Sequence, residues 1–289
     1  MTISSIINNE IRFDSQLRQW EPNIEDSCNM PKYSLGRLIN CIDLEMLCDA
    51  DDEIAEVGIT EVDLETRTVV RTHTMFTKPD SLFEGGYTTR FKKLTGIPFA
   101  KLAKASPING IYSGFKSFNI EKRPFVVFGD DVKHLNAELN RKGLKRVCKK
   151  EIDLSLLLKA IYPSNKAVSQ KTYLERFGLV PEYPLHRAGP DSHSLAKLFI
   201  KFINVMSSKN TVVCVNWDRL ETLHINEGDK CICYYPDLGM LITGIGDNPQ
   251  EAEINLKANS RELEIDLSSV GMFKIREVLA KKGAFYAIV

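Results

Sequence analysis

The stretch Leu38-Ile39-Asn40-Cys41-Ile42-Asp43-Leu44-Glu45-Met46-Leu47 is apolar at both odd and even positions. A strand with one wet face alternates apolar and polar residues, so this run reads as a strand covered on both faces. Two acids interrupt it. Side chains alternate along a strand, which puts Asp43 and Glu45 on one face roughly 7 Å apart. In apolar surroundings such a pair repels and loses hydration. A basic partner, a proton or a divalent cation would offset that; an exposed strand edge would avoid it.

Working outward, residues 55–62 and 67–76 read as strands joined by the polar Asp63-Leu64-Glu65-Thr66, an antiparallel hairpin. Residues 78–123 read as mostly helical, broken by Gly85-Gly86, Gly96, Pro98, Pro107 and Gly110. Phe125-Val126-Val127-Phe128 is a short strand that runs into Gly129-Asp130-Asp131 and a helix with Leu135 and Leu139 four apart. A strand-to-helix passage covers 147–161, and a helix over 167–177 closes at Gly178. Pro190 suits the first position of a helix, with Leu195, Leu198, Phe199, Phe202, Ile203 and Met206 on one stripe.

Three strands followed by alternating strands and helices imply an α/β fold, a mixed sheet flanked by helices. The organisation expected is an irregular arm over 1–35, a main domain over 36–206, and a small α+β domain over 207–289. In that last domain the expected order is strand, hairpin, helix, strand, helix, strand.

Composition narrows the function. Thirty-eight Lys+Arg balance thirty-eight Asp+Glu, so no global charge points to a nucleic-acid or membrane partner. Locally, residues 133–176 hold eleven Lys/Arg against four acids, and residues 207–289 hold nine against twelve. No window has the length and apolarity of a membrane span, and the polar N-terminus lacks signal-peptide character. Seven cysteines without framework spacing fit reduced thiols, so an intracellular, cytoplasmic protein is expected. Cys231-x-Cys233 beside His224 lacks the spacing of a structural zinc site and reads as core thiols.

The acids at the element ends carry the chemistry. Asp131 is in helical phase with Leu135 and Leu139, though an acid opening a helix also stabilises its N-terminus. Asp191 lies four before Leu195 and seven before Leu198, again on an apolar face, with His186 in the loop before it. A lone histidine is commonly structural. Four carboxylates and one histidine converging on core-facing element ends point instead to a two-metal site holding Mg²⁺ or Mn²⁺ around a phosphate.

These residues resemble the DEDD exonuclease superfamily, histidine subtype, built on a ribonuclease H-like fold. Asp-x-Glu stands as Asp43-Leu44-Glu45, the helix-opening aspartate as Asp131 in Gly129-Asp130-Asp131-Val132, and His-x-Ala-x-x-Asp as His186-Arg187-Ala188-Gly189-Pro190-Asp191. Glu53-Ile54-Ala55-Glu56-Val57-Gly58-Ile59 and Leu94-Thr95-Gly96-Ile97 also match, and the likeness is greatest to the enhancer-of-RNAi and histone-mRNA 3′ exonuclease branch. The resemblance implies a five-stranded mixed sheet and a metal-dependent 3′→5′ exonuclease releasing nucleoside 5′-monophosphates from single-stranded nucleic acid, RNA over DNA. Asp43, Glu45, Asp131 and Asp191 would hold two divalent cations, and His186 would take a proton from the attacking water. Met46 and Leu47 would touch the terminal nucleotide; Leu47 departs from the threonine many members carry there.

Lys133, Arg141, Lys142, Lys145, Arg146, Lys149 and Lys150 are candidates to track phosphates of a 3′-ended strand, or else form a solvated helix end. Residues 207–289 carry no motif that assigns them a role; dimerisation, docking of a protein partner and closing one wall of the substrate channel are the candidates. The alternative function is a nucleic-acid-binding regulator or adaptor with little catalysis.

Overall fold

The computed structural model describes residues 11–14, 19–22, 37–47, 53–147, 150–162, 167–182, 184–207, 212–267 and 272–288. Within the segment expected to be irregular, β1 (Ile11–Asp14) and β2 (Gln19–Pro22) pair antiparallel. Four-residue strands are too short to show a period-two pattern, so the sequence does not announce them.

The chain divides into two compact units, one of Arg37–Ser155 with Lys166–Phe202, the other of Met1–Gly36, Leu156–Asn165 and Ile203–Val289. The first is built on β3 (Leu38–Met46), β4 (Ile54–Asp63), β5 (Thr68–Phe76), β6 (Phe125–Val127) and β7 (Glu151–Asp153) in the order β5-β4-β3-β6-β7. β4 runs antiparallel to both β3 and β5, and β6 and β7 run parallel to β3. This is the mixed ribonuclease H-like sheet. β3 lies at its centre and β4 is buried along its whole length, as the unbroken apolar run of β3 required.

Helices follow where caps allow them. After a 3₁₀ turn at Asp80–Phe83, α1 (Thr89–Thr95) starts on Thr88, whose hydroxyl accepts from Phe91 N–H, and ends on left-handed Gly96. Next come α2 (Phe99–Ala103), α3 (Ile108–Lys116), α4 (Asp131–Arg141), α5 (Leu154–Ile161) and α6 (Gln170–Arg176). The nineteen-residue α7 (Ala188–Met206) begins two residues before Pro190. Leu135 and Leu139 of α4 and Tyr112 and Phe115 of α3 pack with Ile42, Leu44, Val57 and Val127 of the sheet in one core.

In the second unit β8 (Val212–Val215) pairs with the final strand, while β9 (Leu223–Glu227), β10 (Lys230–Tyr235) and β11 (Gly239–Gly246) form an antiparallel meander. α8 (Pro249–Asp266), α9 (Phe273–Lys281) and β12 (Phe285–Ile288) follow. This is a small α+β arrangement, but the third meander strand precedes both helices, where one was expected between them. Among the described residues no helix is long and apolar enough to cross a membrane.

Candidate active site

The antiparallel register lays out the site in two rows. Asp43 lies opposite Gly58, which lies opposite Thr74; Glu45 lies opposite Glu56, which lies opposite Phe76. Directly opposed residues point to one face, so the two acids of β3 share it with Glu56 and Phe76.

The start of α7 is pressed onto this face because two glycines let it. A Cβ on Gly58 would lie 1.8 Å from the Ala188 carbonyl oxygen, and one on Gly189 would lie 1.9 Å from Thr74 Oγ1. That approach carries Asp191, in the first turn of α7, to the acids of β3. One carboxylate oxygen each from Asp43, Glu45 and Asp191 lie within 4.8 Å of one another. The Asp191 carboxylate accepts the Arg187 N–H at 3.3 Å, and the Gln170 side-chain amide donates to the Asp191 carbonyl at 3.0 Å.

Asp131 completes the group from the other side. Its carboxylate accepts the N–H of Leu44, the residue between Asp43 and Glu45, and its charge is felt by both. Asp130 faces solvent with a side chain 70% exposed, near Lys133 at 3.9 Å. Of the two neighbours, Asp131 is therefore the one turned toward the acids of β3.

The electrostatics are those of like charges out of water. Burial, then Asp131, Glu45 and Asp191, hold the Asp43 carboxyl well above the usual carboxylate range. Burial and the Asp191 charge push Glu45 up to about 8. Burial pushes Asp131 up to about 7, against the Leu44 hydrogen bond, which lowers it. Burial also raises Asp191, against hydrogen bonds from Arg187 and His186 N–H and the nearby imidazole. Arg187 and His186 offset only part of this charge, so the donor set, carboxylate oxygens of Asp43, Glu45 and Asp191 with Asp131 beside them, fits a hard divalent cation.

The loop holding His186 is locked from behind by a pair the sequence reading did not single out as functional. Glu56 is fully buried and accepts from Arg187 Nη2 at 2.7 Å, from Nε at 2.9 Å, and from Ala188 N–H at 3.0 Å. His186, immediately before these anchors, is exposed with φ at +55°, a strained backbone for a residue with a Cβ. The available signal was Glu56 itself, an acid in a strand apolar on both sides.

Other expected contacts fall elsewhere. Met46 is half-buried beside Glu45. Leu47 is 2% exposed, packed with Ala55, Leu82, Phe91, Ile97 and Leu102; its side chain is core and offers no surface to a nucleotide. Of the basic stretch, Arg141 pairs with Glu138, Lys142 with Asp80 and Lys145 with Glu121, and Arg146 donates to Asn140 at 3.3 Å. The eleven residues of α4 put Arg141 at roughly 15 Å from Asp131, at the far end of the helix. Lys150 is exposed, and Lys149 lies outside the described residues.

The family model described as Exonuclease, of the RNase_T type, matches residues 41–199. The chain belongs to the exonuclease family. Its motifs are those of the DEDDh type. Among solved structures it is similar to the 3′-exonuclease whose complex shows 3′-end-specific recognition of the histone mRNA stem-loop, at TM-score 0.53 and 19% identity over 59% of this chain and 83% of that one. The nuclease domain of 3′hExo, a DEDDh member bound to rAMP, matches at 0.52 and 18% over 58% and 92%. Cell-death related nuclease 4 matches at 0.52 and 18% over 66% and 72%. At these identities the likeness is one of fold. No curated protein sequence matches the chain.

Proposed function

We propose that this exonuclease-family protein is a metal-dependent 3′→5′ exonuclease acting on single-stranded nucleic acid, RNA in preference to DNA, and releasing nucleoside 5′-monophosphates. The observation that carries the reading is the convergence of Asp43, Glu45 and Asp191 within 4.8 Å, with Asp131 alongside. The catalytic domain is assigned to residues 36–206.

Asp43, Glu45, Asp131 and Asp191 would hold two divalent cations, Mg²⁺ or Mn²⁺. Cations held there would supply positive charge to offset that of the scissile phosphate and of the attacking and leaving oxygens. The chain's own residues do the rest. Leu44 N–H and Arg187 N–H fix the carboxylates of Asp131 and Asp191. His186, exposed at the rim, takes the proton of the attacking water as general base. Glu56, through the Arg187 guanidinium and Ala188 N–H, holds the backbone that follows that histidine. The RNA preference rests on resemblance to the histone-mRNA exonuclease branch.

The test is product analysis on single-stranded RNA and DNA of one sequence, labelled at either end, with Mg²⁺, Mn²⁺ or chelator. The expected result is release of 5′-mononucleotides from the 3′ end, faster from RNA, absent with chelator. Asp43→Ala and His186→Ala should each abolish it, the latter by on the order of 10²–10⁴-fold as general-base loss commonly does. Strand binding without release under every metal condition would instead make the protein a binding module.

A further inference from the structure

The segment between β5 and α3 combines features that the catalytic centre does not use. From Phe76 to Ala105 it holds six Lys/Arg against two acids. An open cleft of about 560 Å³ lies there, lined by Phe76, Pro98, Lys101 and Lys104 among others. Lys101 Nζ stands 4.1 Å from the centre of the Phe76 ring. Among the described residues neither Lys101 nor Lys104 has a carboxylate partner, in contrast to Arg141, Lys142 and Lys145.

Beside the cleft stands an aromatic ladder. Phe83 is 67% exposed and Phe99 37% exposed, their rings 5.4 Å apart and edge to face. Tyr87 meets Phe99 at 5.3 Å and Phe91 at 5.6 Å, and donates its hydroxyl to the Ile97 carbonyl at 2.6 Å. Phe91 is buried, so the ladder is rooted in the core and ends in solvent. Keeping two rings in water on rigid support has no folding rationale, and exposed apolar clusters commonly mark a binding surface.

The cleft adjoins the catalytic face. Phe76 sits in the ladder row of Glu56 and Glu45, two strands away at roughly 10 Å. Its ring is also 5.4 Å from the guanidinium of Arg187, the neighbour of His186. We propose that this cleft and its aromatic rim form the track for the single strand entering the active site. Lys101 and Lys104 take its phosphates, and Phe83 and Phe99 stack its bases. Cations without a carboxylate partner match phosphates, and aromatic faces match bases of any sequence. The inference deepens the nuclease reading by naming the residues that hold the strand upstream of its cut end.

Binding measured without catalysis tests it separately from that reading. Anisotropy of labelled 12-nucleotide RNA and DNA, in chelator, is read for the full chain across a salt series. Lys101→Glu with Lys104→Glu should weaken binding about tenfold or more and reduce the salt slope by about 1.4, two single-strand phosphate contacts. Phe83→Ser should weaken it by about fivefold or more and leave the salt slope alone, as loss of one stacked base does. Lys104→Glu alone guards against a disturbed Lys101–Phe76 contact and should carry half the slope change. Unaltered affinity and slope in these variants would overturn the proposal. So would absence of wild-type binding at about 100 μM, the weak end of non-specific affinity, or a loss produced only by reversing Arg141 and Lys145. If the variants lose binding while the chain cuts nothing, the track stands and the nuclease reading falls.

Discussion

Glu45 and Asp43 would be poor choices for stability alone. Each sits in a strand whose neighbours Ile42 and Leu44 are core, and each is held protonated to unusually high pH by burial and by the other acids. Metal-free protein at pH 8 must either hold a proton on Glu45 or bear that repulsion, so Glu45→Gln should stabilise it by about 1–3 kcal/mol. For a chain of this size that is roughly 2–4 °C in Tm per kcal/mol, readable by calorimetry in chelator. The same substitution removes a cation ligand, and turnover in Mg²⁺ should fall on the order of 100-fold or more. A variant neither steadier without metal nor slower with it would mean that Glu45 is an ordinary surface acid. The Glu56–Arg187 pair follows the opposite rule. Arg187→Met leaves a buried carboxylate unpaired among other acids and should cost about 3–5 kcal/mol; adding Glu56→Gln should recover a good part of it.

At the scale of elements, the site depends on how closely α7 approaches the sheet. Gly58 is the contact point, and its Cβ-less backbone lies against Ala188 at a distance no side chain tolerates. Gly58→Ala should lower stability by about 1–3 kcal/mol through overpacking. Because the displaced helix carries Asp191, it should also raise the Mg²⁺ concentration needed for half-maximal rate, which melting alone would not explain. The three motifs were legible in the sequence because each is local: an acid pair two apart, an acid in phase with leucines, a histidine five before an acid. The α7–β4 lock was not, since Glu56 and Arg187 stand 131 residues apart and only the fold brings them together. The basic stretch misled for the same reason. Its partners Asp80 and Glu121 are distant in sequence, and the pairing that occupies Lys142 and Lys145 appears only once α4 is placed. Leu47 misled by position: it follows the last residue of β3, where the chain turns its side chain into a second core cluster.

For the molecule as a whole, the layered sheet was readable because burial on both faces leaves a continuous apolar run. The tail was read less well because β11, with Gly239, Gly244 and Gly246, lacks a strand-like composition. Gly244 and Gly246 are there because α8 packs on them: an added Cβ would lie 1.9 Å from the Ala252 carbonyl oxygen at Gly244 and 2.5 Å from the Ala252 nitrogen at Gly246. The global consequence of the acid cluster is a pH dependence opposite to that of a protein held by salt bridges. Glu45 titrates at about 8 in the folded chain against an ordinary 4.5, and Asp131 at about 7 against 3.8. Between those limits the folded state binds more protons than the unfolded one, so stability falls as pH rises. The stabilising protonated form is complete below about pH 4.5 and lost through pH 8, with a slope of at most about 1.4 kcal/mol per pH unit for each group. In chelator, the melting temperature should therefore decline from pH 5.5 to pH 8. Millimolar Mg²⁺ or Mn²⁺ should flatten or reverse that decline, because the cation binds the deprotonated carboxylates and stabilises the folded chain most where they are ionised. Glu45→Gln should shrink both effects together. A melting profile that rises over this range in chelator and ignores the metal would mean that Asp43, Glu45, Asp131 and Asp191 do not act as one buried, charge-crowded site.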